Sequence, residues 1–209
     1  MKSGFLLRWE YALKEKNFKA YFIFGLLLLA IILLLFPYFF NYIEHREGKD
    51  LNDSVLNFLP AFNLSIPVFV IIWITTISAL ILFFREPKLL LIFLWSYIFL
   101  CLTRIITMSI VPLNPPRQLI PLIDPIISIF YGTGFITKDL FYSGHTSTQF
   151  LFFLCLYRKP FRWLYLISTI VIAIAVLIQH VHYTMDVAVA PLFAFGCHKM
   201  AKKLLYSIS

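Results

Sequence analysis

Long runs without a charged side chain constrain this sequence more than any other feature. Residues 23–36 contain none, and similar runs recur along the chain. Apolar residues make up 61% of the 209 residues and charged residues 13%, whereas soluble domains average about 45–50% and 25%. Because a helix satisfies its own backbone hydrogen bonds in lipid, the sequence predicts an all-α integral membrane protein.

Six apolar segments are long enough to cross a bilayer as helices, the fourth being the shortest. We place them at residues 20–40, 64–84, 88–111, 141–158, 161–180 and 184–204. No cleaved signal peptide is expected, because the first apolar run is too long and lacks a small-residue cleavage site. The three cysteines lie inside apolar runs without metal-ligand spacing, which is typical of packing residues.

Lysine and arginine are distributed unevenly between the two sides of these segments. Thirteen fall on the side that carries both termini and four on the opposite side. The positive-inside rule therefore predicts that both termini are cytoplasmic, which an even number of spans also requires. The net charge of +8 is explained by this orientation, and no nucleic-acid partner is predicted.

The chain divides into a basic cytoplasmic segment, residues 1–19, and a six-helix transmembrane domain, residues 20–205. The first segment fits an amphipathic helix on the membrane surface and equally a basic flank that only sets orientation. The loop at residues 111–125 carries five prolines yet is apolar, a pattern typical of a re-entrant or interface-hugging cover.

Four ionisable residues within the spans fall at one depth near the extracytoplasmic surface. Arg104 lies about 10 Å below the outer end of its span, and His145 about 6 Å inside the next. His182 and Asp186 begin the sixth span on one face, four residues apart. Charged groups inside a bilayer usually line a polar cavity, although Arg104 alone fits a side chain that reaches the interface. We expect one pocket.

This set of residues favours phosphoryl transfer. His182 would attack phosphorus, with Asp186 orienting its ring, and His145 would protonate the departing lipid alkoxide. The groups expected to hold phosphate oxygens lie on the third span and at the start of the fourth: Arg104, Ser143, Gly144, Thr146 and Ser147.

Three motifs resemble the sphingomyelin synthase-like branch of the PAP2 lipid phosphatase and phosphotransferase superfamily. They are "LCLTRIITMSIVPLNPP" at 100–116, "YSGHTS" at 142–147 and "QHVHYTMDVAVA" at 179–190. The resemblance implies a PAP2-like core, His182 as nucleophile with Asp186, and His145 as acid and base. It also implies that Asp139 supports the site or a head group, although an N-cap of the fourth span is an equal interpretation.

That resemblance further implies a membrane enzyme moving phosphocholine or phosphoethanolamine from a glycerophospholipid to a lipid alcohol such as ceramide or diacylglycerol. No metal or cofactor is expected, and the sequence is compatible with a homo-oligomer. Two motifs of the wider superfamily, Lys-x6-Arg-Pro and the Ser-Arg before the second histidine, do not occur in this sequence.

Three other functions fit parts of the pattern. A lipid phosphatase would use the same residues with water as acceptor. A zinc hydrolase would use His145, His180, His182 and Asp186, but side chains at positions i and i+2 of a helix point apart. A transporter or proton relay would use the buried histidines and the aspartate to carry protons.

Overall fold

The computed structural model describes residues 4–124 and 135–206, and these residues form helices joined by loops. The N-terminal tip of the basic segment and Pro125 of the proline-rich loop lie outside the described residues. The helices are α1 (Gly4–Lys14), α2 (Phe18–His45), α3 (Ser54–Phe58), α4 (Ser65–Phe84), α5 (Pro87–Ile110), α6 (Gly144–Cys155), α7 (Arg162–Ile178) and α8 (Thr184–Tyr206).

Six of these helices coincide with the six apolar segments. Three of them, α2, α4 and α5, are long and apolar enough to cross a membrane, while α7 is apolar but shorter. The predicted fourth span is wrong at both ends, because α6 covers only residues 144–155. Ser143 caps its start and a turn that includes Pro160 follows its end. A six-span topology therefore stays a prediction, whereas the all-helical membrane fold is confirmed in outline.

The basic N-terminal segment contains a helix, α1, that packs against the bundle. The Trp9 indole Nε1 donates to the carbonyl of Phe84, 2.9 Å away, at the end of α4. The Trp9 ring also packs against Phe18 and Phe22 of α2. Large apolar side chains on the rest of α1, including Phe5 and Leu6, are exposed. This exposed apolar face favours the interfacial-helix interpretation of the segment.

Helix α5 occupies the centre of the bundle, where it packs against α2, α6 and α8. Nearly half of the residues in the most apolar stretch of α5 are buried. In the corresponding stretch of α2 only about a tenth are buried, so α2 lies at the periphery. The core between α4, α5 and α6 is aromatic, with the rings of Phe83 and Phe93 stacked at 4.6 Å. The central position of α5 places Arg104 inside the bundle.

Loops tie together the end of the bundle that we predict to be extracytoplasmic. Lys49 bridges to Leu113 as a short parallel pair, and its N–H donates to the carbonyl of Pro112 at 2.9 Å. The buried Gln179 side chain donates to the carbonyl of Pro121 at 3.0 Å and accepts from the N–H of Leu64 at 3.1 Å. The apolar proline-rich loop is thus fastened to the ends of α4 and α7, as expected for a cover.

The predicted topology places Glu47 and Arg117 outside the cytoplasm and Arg158 and Lys203 inside it, and all four side chains are exposed. We expect cysteines introduced at Glu47 and Arg117 to react with an impermeant maleimide in intact cells. Cysteines at Arg158 and Lys203 should react only after permeabilisation. The parent chain is the control, because its three native cysteines are buried and should not be labelled. Labelling of all four positions from outside would contradict the cytoplasmic assignment of the C-terminus.

Candidate active site

His182 and Asp186 form a buried pair at the beginning of α8. His182 Nδ1 lies 3.5 Å from Asp186 Oδ2, which is ion-pair range without hydrogen-bond geometry. The same Oδ2 accepts the backbone N–H of Tyr183 at 3.1 Å. Asp186 is completely buried and His182 nearly so. Because an isolated carboxylate is costly to bury, this pairing indicates a site that has to carry charge.

His145 faces this pair from the start of α6. The ring centroids of His145 and His182 are 6.4 Å apart, and Phe69 of α4 flanks His145 at 6.3 Å. The Ser143 N–H donates to the backbone carbonyl of Asp186 at 3.1 Å, so the beginnings of α6 and α8 are joined directly. The positive end of the α6 dipole therefore lies beside both histidines.

Arg104 and Asp139 form an ion pair on the α5 side of the two histidines. Burial alone would raise the pKa of Asp139, but the Arg104 guanidinium, and to a lesser extent His182, hold that pKa below its ordinary value. The interpretation of Asp139 as an N-cap is wrong, because Ser143 caps α6. Arg104 does not reach for the interface either, since its side chain is only 12% exposed and turns toward Asp139.

Gly144 lies directly against the Arg104 guanidinium. A Cβ at this position would overlap Nη1 and Cζ of Arg104. The absence of a side chain is therefore required for the guanidinium to reach the first turn of α6. Arg104 thus lies beside the first amides of α6, and guanidinium groups and helix N-termini are both common binding groups for phosphate oxygens.

The hydroxyl groups predicted as donors differ in their surroundings. The Ser143 Oγ accepts the N–H of Thr146 at 3.4 Å, and the Ser147 Oγ donates to the carbonyl of Gly144 at 3.0 Å. Both hydroxyls stabilise the first turn of α6. The Thr146 Oγ1 is buried and has no hydrogen-bond partner among the described residues.

Most of the buried side-chain atoms that lack a hydrogen-bond partner in the described residues belong to this set, Trp73 Nε1 being an exception. Within residues 4–124 and 135–206 they include Arg104 Nε, His145 Nδ1, Thr146 Oγ1, His182 Nδ1 and Asp186 Oδ1. Buried polar groups are normally hydrogen-bonded, and exceptions call for a functional explanation. Five such atoms from α5, α6 and the start of α8 indicate a site built for a polar reactant.

The other histidines lie apart from this set. The His180 Nε2 is 3.0 Å from the carbonyl of Leu59, so its ring is turned toward the end of α3. The His45 Nδ1 contacts the carbonyl of Asn41 within α2, and His198 lies near Ser96 and Cys155. No group of three metal-binding side chains occurs among the described residues. The four-residue zinc arrangement is therefore not formed there.

Several residues that support the site were missed by the sequence analysis. The buried Tyr142 stacks on Phe193 of α8 at 4.2 Å, and its hydroxyl lies 2.9 Å from Thr103 Oγ1 of α5. The Asp53 carboxylate accepts the N–H of Thr184 at 2.6 Å and its hydroxyl at 2.9 Å. Asp53 thereby caps α8 as well as α3. The available sequence signal was an aspartate, a preferred N-cap residue, directly before the first residue of α3.

A family model supports this interpretation of the C-terminal half. Residues 138–203, about a third of the chain, match the model described as PAP2 superfamily C-terminal. The matched segment begins one residue before Asp139 and contains His145, His182 and Asp186. The match supports placement in the PAP2 superfamily and suggests lipid phosphatase or phosphotransferase activity. No curated protein and no solved structure matches the chain significantly.

Replacing Gly144 by alanine tests the contact with Arg104. The new methyl group should displace the guanidinium and lower lipid turnover by roughly 10- to 100-fold, since small misplacements of catalytic groups have effects of this size. The matched control is Gly196→Ala in α8, where a methyl group meets open space. Turnover of a fluorescent phospholipid by both purified variants is the measurement, and equal activity would contradict the assigned role.

Removal of the Asp53 carboxylate tests the cap on α8. Asp53→Ala should destabilise the protein by about 1 kcal/mol and lower lipid turnover severalfold, because Thr184 loses its acceptor. Burial alone would raise the pKa of Asp53, but hydrogen bonds from Thr184, Leu56 and Val55 hold it below 3.8. The stabilisation is therefore present above that pH and is lost as the pH falls through the lowered value.

Thermal unfolding in detergent measures this effect. The control variant is Asn52→Ala, which removes a neighbouring exposed side chain that bonds only Asn57 among the contacts described. An Asp53→Ala protein as stable as the Asn52→Ala protein at neutral pH would show that the cap is dispensable.

Proposed function

We propose that this protein is a lipid phosphotransferase of the sphingomyelin synthase-like branch that works through a phosphohistidine on His182. It moves a phosphocholine- or phosphoethanolamine-type head group from a glycerophospholipid to ceramide or diacylglycerol. The observation that supports this most directly is the buried His182–Asp186 pair facing His145 across 6.4 Å. The reaction would take place at the extracytoplasmic surface of a multi-pass membrane protein.

In the first half of the reaction, Asp186 holds the Nδ1 side of His182, which directs Nε2 toward phosphorus. The Nε2–P bond forms as the P–O bond to the diacylglycerol oxygen breaks. Protonated His145 gives its proton to the departing oxygen, so the leaving group departs as a neutral alcohol. The charge on the phosphorylated imidazole is balanced by Asp186, in the manner of carboxylates that orient catalytic histidines.

In the second half, the hydroxyl of the acceptor lipid gives its proton to His145. Its oxygen attacks phosphorus as the N–P bond breaks, which returns His182 to its neutral form and His145 to its protonated form. Arg104 and the first amides of α6 hold the non-bridging oxygens during both steps, with Thr146 as an additional donor. Asp139 fixes the Arg104 guanidinium against Gly144.

Hydrolysis with water as acceptor is the second candidate. A polar cavity of about 610 Å³ lies among the extracytoplasmic loops, and its walls include Asp50, Asp53, His180 and Tyr183. Tyr183 lines this cavity, and its backbone N–H donates to Asp186 Oδ2, so one wall residue contacts the proposed catalytic pair. The same histidines would then form a PAP2-type lipid phosphatase.

Two histidine variants and two substrates test the assigned roles. His182→Ala should lower turnover of every phosphodiester by at least about 1,000-fold, because the nucleophile is removed. His145→Ala should lower turnover of natural phospholipids by about 100- to 1,000-fold. It should retain most activity toward a nitrophenyl phosphodiester, whose leaving group needs no proton. His45→Ala is the control, because that ring is exposed and contacts the carbonyl of Asn41 within α2.

Acid-labile labelling of the protein by substrate, lost in His182→Ala and kept in His145→Ala with the nitrophenyl substrate, would support the covalent step. Full activity of His182→Ala would overturn the assignment. With phospholipid labelled in its head group, transfer of label to ceramide or diacylglycerol identifies a transferase. Label that appears in water at the same rate with and without these acceptors identifies a phosphatase.

A further inference from the structure

A second cleft lies at the opposite end of the molecule from the proposed active site. It has a volume of about 690 Å³ and is formed by the turn between α1 and α2, the beginning of α5 and the end of α8. Its wall residue Tyr206 follows Asp186 by twenty positions in α8. At 1.5 Å per residue, the two sites are about 30 Å apart, on opposite sides of the predicted bilayer.

The walls of this cleft change from apolar to charged. Phe18 of α2 and Leu91 and Ile92 of α5 form the apolar part. Lys16 and Lys88, together with Glu15, form the polar part. Such a gradient matches an amphiphile lying across a membrane surface, whereas a small soluble anion would leave the apolar wall in contact with water.

The charge at the rim is positive and easily made available. Lys88 Nζ lies 2.5 Å from Glu15 Oε1, but 68% of the lysine side chain and 51% of the glutamate side chain are exposed. Exposed ion pairs contribute little to stability, so Lys88 is able to exchange this partner for a phosphate. Lys16 is exposed as well. Four more lysines lie within a few positions of the lining residues in the sequence: Lys14, Lys19, Lys202 and Lys203.

The cleft is held open by packing of its surroundings. Trp9 of α1 fastens the N-terminal helix to α4 and contacts Phe18, which lines the cleft. Tyr21, another lining residue, offers its carbonyl to the Trp95 indole Nε1 at 3.3 Å. A site whose walls are already fixed loses little entropy when a ligand binds.

The geometry points to a binding site for an anionic phospholipid of the cytoplasmic leaflet. Its phosphate would contact Lys16 and Lys88, and an acyl chain would pass along Phe18, Leu91 and Ile92. The leaflet that the positive-inside rule assigns to this end is the one that carries anionic lipids, which attract basic segments. This site does not depend on the phosphotransferase proposal, because no residue is shared between them.

Native mass spectrometry of the purified full chain, titrated with phosphatidylglycerol or phosphatidylcholine, tests the site. We expect phosphatidylglycerol to bind at least about tenfold more tightly. The variant Lys16→Gln/Lys88→Gln should lose most of this preference, since each lysine near a membrane surface accounts for roughly fivefold in binding of anionic lipid. The matched control is Arg158→Gln/Lys199→Gln, which removes two exposed charges at the same end of the bundle but outside the cleft.

Glycerol 3-phosphate is the arm that separates a lipid site from a phosphate site, and we expect it not to compete at millimolar concentration. Three results would overturn the proposal. They are equal binding of the two lipids, equal loss of the preference in both double variants, and displacement of the lipid by glycerol 3-phosphate. Activity of the histidine variants does not enter this test, so it stands or fails separately from the proposed reaction.

Discussion

A carboxylate buried without exposure in an apolar bundle, Asp186, is the constraint on which the rest of this structure depends. Water cannot solvate it, so the protein has to supply the partners. The ring of His182 and the N–H of Tyr183 are the partners of the Asp186 side chain. The backbone carbonyl of Asp186 accepts the N–H of Ser143. Asp186 thereby joins two elements: its side chain is bonded to the turn before α8, and its backbone carbonyl to the residue before α6.

Several helices and loops contribute residues to the region around Asp186. The central helix α5 brings in Arg104, and the loop before α6 brings in Asp139 as its partner. Asp53, from the loop between α2 and α4, caps α8 from outside the bundle. Gln179 fastens the proline-rich loop over the same end of the molecule. The candidate site residues are thus held by elements distant in sequence, and this arrangement would preorganise a catalytic site of the kind proposed.

The helices could be predicted from the sequence because a helix that crosses a membrane has to be apolar over the thickness of the hydrocarbon core. A long apolar run therefore marks where such a helix lies. Helix α5 was expected at 88–111 and occupies Pro87–Ile110. The shared depth of Arg104, His145, His182 and Asp186 was inferred from their distances to the ends of the predicted spans, and it stays a prediction. The pairing of Arg104 with Asp139 could not be predicted from the residues alone, since it depends on how a long loop folds back. The cap that Asp53 places on α8 joins residues 131 positions apart, and no periodic pattern records such contacts.

The Arg104–Asp139 pair also bears on which phosphate esters suit the pocket. The guanidinium charge is already matched by Asp139, and in the proposed reaction the charge of Asp186 is matched by the proton carried by His145. Where the charges of a site already cancel, a phosphate with two negative charges loses more hydration than one with a single charge and finds no surplus positive partner. A diester carries only one. If the proposed reaction is correct, this balance of charge would favour intact phospholipids over phosphatidic acid as substrates.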